Sequence, residues 1–440
     1  MILSRHRATS PRKSVGPWVA ACAIIAITIT ACSSSNTSGS AATGNSASAP
    51  GSASTGSAPA SCTGVPAPCS TKDSPATGSP IHIGVTTVEN DPIGDFTSAA
   101  DGAAAATKYL NAHGGIDGHP VALNICAQTS TSGGDVCANS FVQDKDVAVI
   151  EGIVTQDNVM FPILKSAGIP VIGGSPLTPA DFADDGNHWQ FSGGPLSEFF
   201  AMPEYAARVL HIKSAVIVQP AAENGPTLTS YALTALKANG VTDVKVVDGP
   251  AATEDPTSTL VEADASHPDA IFFEYNPPAC TTVMKDIQQL GITAKTFYFS
   301  SCNAQSVLSA AGSAANGIYT PADQLQPSFA ADNPQVKIYE SAMTTAGFAS
   351  DLTQVVGELG FEAAMNFYAA AQSIGADKLN GESIDAYFAK TNNMPNWLAD
   401  TYSCAQPPLP TIEKSLCGSA EQILEVENGK LTDIGGKWYI

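Results

Sequence analysis

Basic residues are scarce. The 440 residues hold 20 Lys and Arg against 41 Asp and Glu, a formal charge of −21. That balance makes nucleic acid and anionic lipid poor partners. The arrangements that carry catalysis are missing as well. His82, His113, His119, His188, His211 and His267 are scattered, with no HExxH pair, so their spacing offers no metal site. There is no GxSxG elbow and no GxxxxGK[ST] phosphate loop. No two cysteines stand at CxxC spacing, which argues against a dithiol redox centre. Glu89, Asp91 and Asp95 crowd one stretch, where acids are solvated or cap the helix expected from Phe96. The serine of GGSPLTP has no identifiable base beside it, and Trp189, Trp397 and Trp438 read as core. We expect no enzyme, no cofactor and no metal.

Long apolar runs are also absent, apart from VAACAIIAIT at 19–28. Ten residues are too few to span a bilayer, but behind Arg5, Arg7, Arg12 and Lys13 they suit a signal-peptide core. The next four residues, Ile29, Thr30, Ala31 and Cys32, resemble a bacterial lipobox. That resemblance implies cleavage before Cys32 and its lipidation. A plain secretory signal or an N-terminal membrane helix is the alternative. Residues 33–80 are almost purely Ser, Ala, Gly, Thr and Pro, with Lys72 and Asp73 the only charges. Such composition reads as a disordered tether. The expectation is therefore a signal peptide over 1–31, a lipidated tether over 32–80, and a folded part held on the extracytoplasmic face of the membrane. Without residues 1–31, sixteen basic residues face 41 acids, a charge of −25.

Cys62, Cys69, Cys126, Cys137, Cys280, Cys302, Cys404 and Cys417 remain after Cys22 and Cys32 are set aside. An even set outside the cytoplasm reads as disulfides, and these eight fall into four sequence-local pairs. Neighbour pairing is expected.

From Ile81 onward, apolar runs alternate with amphipathic stretches. The runs are IHIGVTTV (81–88), VALNIC (121–126), VAVIEG (147–152), IPVIGG (169–174), SAVIVQ (214–219), VKVVDG (244–249), AIFFEYN (270–276) and TFYFSS (296–301). Runs apolar on both faces and separated by helices predict parallel sheets covered by helices on both sides. About 360 residues exceed what one sheet organises, so two α/β lobes are expected. After Thr320 the pattern turns helical and ends in a strand, turn and strand around Asn428 and Gly429. That hairpin is either decoration or the chain returning to complete an earlier sheet. In open parallel sheets the ligand lies beyond the carboxyl ends of the strands.

The run from Ile81 to Leu123, with the turn Asn111, Ala112, His113, Gly114, Gly115, Ile116, Asp117 and Gly118, resembles the amino-terminal part of the type I periplasmic binding proteins. The branch it resembles is the leucine/isoleucine/valine-binding solute receptors of ABC transporters. VAVIEGIVTQDNVMFPILKSAGIPVIGGSPLTP is similar to that family's strand, binding loop, helix and Gly-Ile-Pro strand, and DAIFFEYNPPACTTVMKDIQQLGITAKTFYFSS to its second-lobe counterpart. The resemblance implies lobe 1 over 81–194 plus about 321–400, and lobe 2 over 195–320 plus about 401–440, with the ligand trapped between them. It places lobe 1 contacts at Thr155, Gln156, Gly174 and Ser175, through backbone and hydroxyl groups. Lobe 2 contacts fall at Glu223, Asn224, Tyr275, Asn276 and Ser301. It also sets Cys126 at the end of strand two and Cys137 in the following helix.

Two departures are visible. Leu177 stands where the family has a hydroxyl, and Ser301 and Cys302 stand where it has an acid for the ligand's ammonium, with Glu223 or Glu274 as substitutes. The implied function is a monomeric, lipid-anchored receptor that captures a small organic solute, an amino acid, amide or carboxylate, and delivers it to an ABC permease. A sensory binding protein of the same fold, or an anchored hydrolase, is the alternative.

Overall fold

The computed structural model describes residues 61–440 except 92, 183–185, 220–224, 250–254, 274–276, 355, 407 and 410–414. Strands β1 (Ile81–Val88), β2 (Val121–Gln128), β3 (Val149–Glu151), β4 (Val171–Gly173) and β5 (His188–Trp189) form one sheet in the order β2-β1-β3-β4-β5, all parallel. Strands β6 (Ser214–Gln219), β7 (Asp243–Asp248), β8 (Ala270–Phe273), β9 (Lys295–Tyr298) and β10 (Tyr319–Ala322) repeat that order in a second sheet, β7-β6-β8-β9-β10. The terminal hairpin β11 (Glu421–Glu427) and β12 (Lys430–Tyr439) extends it, β11 running antiparallel to β10. Of the two readings of the hairpin, sheet completion is the one observed.

The interior runs form strands because both of their faces are covered. β1 is buried from Ile83 to Val88, and Phe141 packs so closely on Gly84 that an added Cβ would stand 2.6 Å from its ring. On the other face lie the Ala-rich helix Thr97–Ala112 and the helix Gly357–Ile374. These two meet backbone to backbone through Gly102 and Gly360. The helices after residue 333 therefore serve the first lobe: Val336, Tyr339, Phe361, Phe367, Ile384 and Phe388 share a core with Ile83, Val85 and Ile150. The second lobe has its own cores, around Phe273, Tyr298 and Leu424 and around Phe199, Phe272 and Phe297.

Two expected boundaries are corrected. The tether does not extend to residue 80, because 61–80 pack on the first lobe. The Trp397 indole donates to the Ala67 carbonyl (2.9 Å), Tyr109 Oη accepts from the Ser70 amide (3.1 Å), and the Thr77 and Gly78 amides donate to the Gly118 carbonyl (3.1 and 2.8 Å). Polar composition hid this because backbone groups make most of the bonds. Residues 401–406 and 415–417 also belong with the first lobe rather than the second. The Gln190 amide donates to the Ser415 carbonyl and the Cys417 amide to the Gln190 carbonyl, both at 2.7 Å, which continues the sheet edge beyond β5. Tyr402 packs edge-on against Phe191 with ring centres 4.8 Å apart.

The eight cysteines form Cys62–Cys69, Cys126–Cys137, Cys280–Cys302 and Cys404–Cys417. Cys126 lies near the end of β2 and Cys137 in the helix Gly134–Asp144.

Candidate functional site

The chain crosses between the sheets three times: after β5 near 190–194, after β10 near 322–326, and before β11 near 418–420. β5 and β10 end at their crossings, and the antiparallel β11 begins at its own. The carboxyl edges of both sheets therefore lie on the side of the crossings. In each sheet the strand order reverses direction beside its first strand, β1 or β6, where open α/β sheets hold ligands.

On the first lobe, β3 and β4 end side by side, Glu151 opposite Gly173. Thr155 and Gln156 lie in the loop after β3, Gly174 and Ser175 in the loop after β4, and the Ser175 amide joins the two loops by donating to the Gly152 carbonyl at 3.2 Å. Thr155 Oγ1 and Gln156 Nε2 both donate to the Ser130 carbonyl, at 3.2 and 3.0 Å. The Ser130 amide donates in turn to Asp91 Oδ2 at 2.8 Å, and this bonding to Ser130 holds the half-buried Asp91 carboxyl below its usual range. Ser130 thus laces together the loops after β1, β2 and β3.

The loop after β4 uses up backbone amides that an anionic ligand would otherwise take. Leu177 and Thr178 donate theirs to Asp181 Oδ2 at 2.8 and 2.6 Å, and Pro176 has none. An internal carboxylate therefore occupies this amide cradle. Beneath the loop, Glu151, Asp157, Asp181 and His188 are buried together. Burial pushes Asp157 up to about 6 and Asp181 up to about 8, and lifts Glu151 well above the usual range, with Asp157 and Asp181 adding repulsion. The reading of the sequence found none of these four as a group. The available signal was Glu151, an acid inside the apolar run VAVIEG.

On the second lobe, Ser301 lies in the turn Ser300–Asn303 that follows β9. Its neighbour Ser300 donates its amide (3.0 Å) and hydroxyl (2.6 Å) to Glu198, in the first turns of the helix Gly194–Arg208. Burial pushes Glu198 up to about 7. Glu223, Asn224, Tyr275 and Asn276 lie outside the described residues, as does Glu274.

The crossings are stitched by acids that the sequence reading also passed over. Ser192 is bonded to Asp323, Ser197 to Glu421, and Gln324 Nε2 donates to Glu362 at 2.7 Å. Burial raises Glu358 to about 8 and lifts Glu362 and Glu421 well up, with Asp323 adding repulsion to each. The loop after β4 touches this region, since a Cβ on Gly194 would stand 2.7 Å from Ser175 Oγ. Among the described residues no helix is long and apolar enough to cross a membrane.

Two lobes of one strand order, with their loop-bearing edges turned toward three shared crossings, define a two-lobed binding protein. The sequence model of the periplasmic binding protein family matches residues 80–401, and the chain belongs to that family. No curated protein sequence matches it. Solved structures share the fold at low identity. One is a leucine-binding protein LivK from Thermotoga maritima (TM-score 0.62, 17% identity, 82% of this chain and 98% of that one). Another is the branched-chain amino acid transporter substrate-binding protein LivJ from Streptococcus pneumoniae in complex with isoleucine (TM-score 0.61, 15% identity, 80% and 98%). A third is an ABC transporter substrate-binding protein from Desulfitobacterium hafniense in complex with Leu (TM-score 0.63, 15% identity, 82% and 100%).

Proposed function

We propose that the protein is an extracytoplasmic receptor, anchored through a lipidated Cys32, that captures a small organic solute between its lobes and delivers it to an ABC permease. It works as a binding protein and not as an enzyme. The observation that carries the reading is the repeated strand order, which puts the loops at Thr155 and Ser175 on one lobe and at Ser301 on the other at the edges that share the crossings. A solute touching both lobes stabilises the closed state, and the permease distinguishes closed from open. Thr155, Gln156, Gly174 and Ser175 form the first-lobe contacts, and Glu223, Asn224, Tyr275, Asn276 and Ser301 the second-lobe contacts. The proteins of similar fold solved with isoleucine and leucine make an amino acid the first solute class to try. With the amides of Leu177 and Thr178 committed to Asp181, hydroxyls carry more of the grip on a carboxylate than the family resemblance implies.

The test is a thermal-shift and calorimetric screen of the purified chain against amino acids, amides and small carboxylates. A true solute at a hundred times its dissociation constant adds about 2.7 kcal/mol of stability. Ser175→Ala should weaken that solute without changing the unliganded midpoint. Silence across the whole panel would remove the reading. Cys32→Ala, expressed in the native cell envelope, should move the protein from the membrane to the soluble fraction.

A further inference from the structure

We propose that Glu151, Asp181 and His188 form a binding site for one divalent cation of the zinc class, set under the loop that carries Ser175. One ligand atom from each residue lies within 4.8 Å of the others, and all three side chains are buried, at 1, 1 and 2% exposure. Two acceptor oxygens in the cluster, Glu151 Oε2 and Asp181 Oδ1, have no hydrogen-bond partner. Glu151 Oε2 faces His188 Nε2 at 3.7 Å. That is too long for a hydrogen bond. It is close to the separation of roughly 3–4 Å between two ligands each about 2.1 Å from one zinc ion. Asp157 stands behind the site, buried and bonded to Thr178 Oγ1 at 3.0 Å, and brings a third carboxylate. Among the described residues no lysine or arginine makes an ion pair with any of the three acids. Buried carboxylates ordinarily have a charged partner or hold a metal.

The donor set, one imidazole and two carboxylates, suits zinc or a similar first-row cation better than calcium, which prefers an all-oxygen shell. Binding through His188 Nε2 requires the imidazole proton on Nδ1. Nδ1 lies 3.0 Å from the Gln190 side-chain amide, whose Oε1 has no partner in its present orientation. A half-turn of that amide supplies the acceptor that metal-bound imidazoles normally have, at the cost of the 2.6 Å bond from Gln190 Nε2 to the Asp181 carbonyl. The ion's role follows from position. Asp181 Oδ2 already holds the amides of Leu177 and Thr178, and Glu151 ends the strand beside Gly173, so a cation joining them fixes the solute loop to the sheet.

The full chain, purified without a metal-affinity tag, is loaded with Zn2+, dialysed against metal-free buffer and assayed for bound metal by mass spectrometry. One zinc per chain is expected in the wild type, with loss of most of it in Glu151→Gln and in Asp181→Asn. A chelator should lower the thermal midpoint of the wild type and leave both variants unmoved. Zinc retained equally by wild type and variants, or no zinc retained by the wild type, overturns the site. Should the variants fail to fold, X-ray absorption on the zinc-loaded wild type decides. A nitrogen and oxygen shell at about 2.0–2.2 Å with scattering from one imidazole supports the proposal, and a shell without imidazole ends it. Neither readout involves solute, so failure here leaves the receptor reading intact.

Discussion

Ser192 and Asp323 stand on different crossings between the lobes, and the serine hydroxyl is hydrogen-bonded to the aspartate carboxyl. The serine is buried and the aspartate half-buried, so water replaces this bond poorly. Ser192→Ala should lower stability by about 1–2 kcal/mol in urea unfolding. Asp323→Asn keeps an acceptor for the hydroxyl and removes a charge that opposes Glu198, Glu358, Glu362 and Glu421. At pH 8 it should cost less than Ser192→Ala. A larger loss from the asparagine would show that the charge itself is needed at the crossing.

The contact between the helices Thr97–Ala112 and Gly357–Ile374 has no room for a methyl group. A Cβ on Gly360 would stand 1.8 Å from the Ala99 carbonyl oxygen, and one on Gly102 would stand 2.0 Å from the Gly357 carbonyl oxygen. Both obstacles are backbone, which cannot rotate aside as a side chain can. Gly360→Ala should therefore cost about 3 kcal/mol, at the upper end for overpacking. Gly435→Ala, in β12 with nothing within 4 Å, is the control and should stay within about 0.5 kcal/mol. Equal midpoints for the two variants would mean that the helices separate freely.

The segment before β1 supplies a third test. Val65 and Cys69 pack against the first-lobe core, and the fully buried Trp397 spends its indole N–H on Ala67. A chain beginning at Ile81 should be less stable than one beginning at Ser61 by about 2–4 kcal/mol, from one apolar side chain and several hydrogen bonds. Its tryptophan emission should also shift to the red as Trp397 meets water. Identical unfolding curves would return 61–80 to the status of a tether.

How much of this was readable in the sequence depends on how local the cause was. Six of the eight strands read from apolar runs announced themselves because a strand covered on both faces is apolar throughout, while the edge strands β2 and β7 are partly exposed and showed only shorter apolar stretches. The two parallel strands without such a run escaped notice: β5 is only His188 and Trp189, and β10 is YTPA with a proline in it. Both exist because a neighbouring strand offers an edge. The loops offered as solute contacts were chosen by position, and those at Thr155, Ser175 and Ser301 do follow β3, β4 and β9. The buried acids were not. Glu198 is settled by Ser300, 102 positions away, and Glu421 by Ser197, 224 positions away. No window on the sequence contains both partners. The lobe assignment of 415–417 failed for the same reason, because Gln190 recruits Ser415 and Cys417 from a distant part of the chain.

These buried acids also set the response to pH. Burial lifts Glu198 to about 7 and Glu358 to about 8 from an ordinary 4.5, and lifts Glu362 and Glu421 as well. A carboxyl with a raised folded pKa holds its proton more tightly in the folded chain than in the unfolded one. Its favourable contribution is complete below the unfolded value and is lost as pH rises through the folded value. Across that interval each such group costs roughly 1.4 kcal/mol per pH unit. The opposite case is Asp269, whose carboxyl accepts the Lys213 and Ser214 amides at 2.6 and 3.0 Å and is thereby held below its usual 3.8. Its contribution is present above that value and disappears on acidification. Stability should therefore peak near pH 5 and fall steadily toward pH 8, measured by urea unfolding in the presence of a chelator so that metal at Glu151 does not intrude. Glu358→Gln should flatten the fall between pH 5 and 8 without altering the acid limb. A wild-type curve that is level or rising over that range would mean that the acids at the crossings ionise within the folded protein.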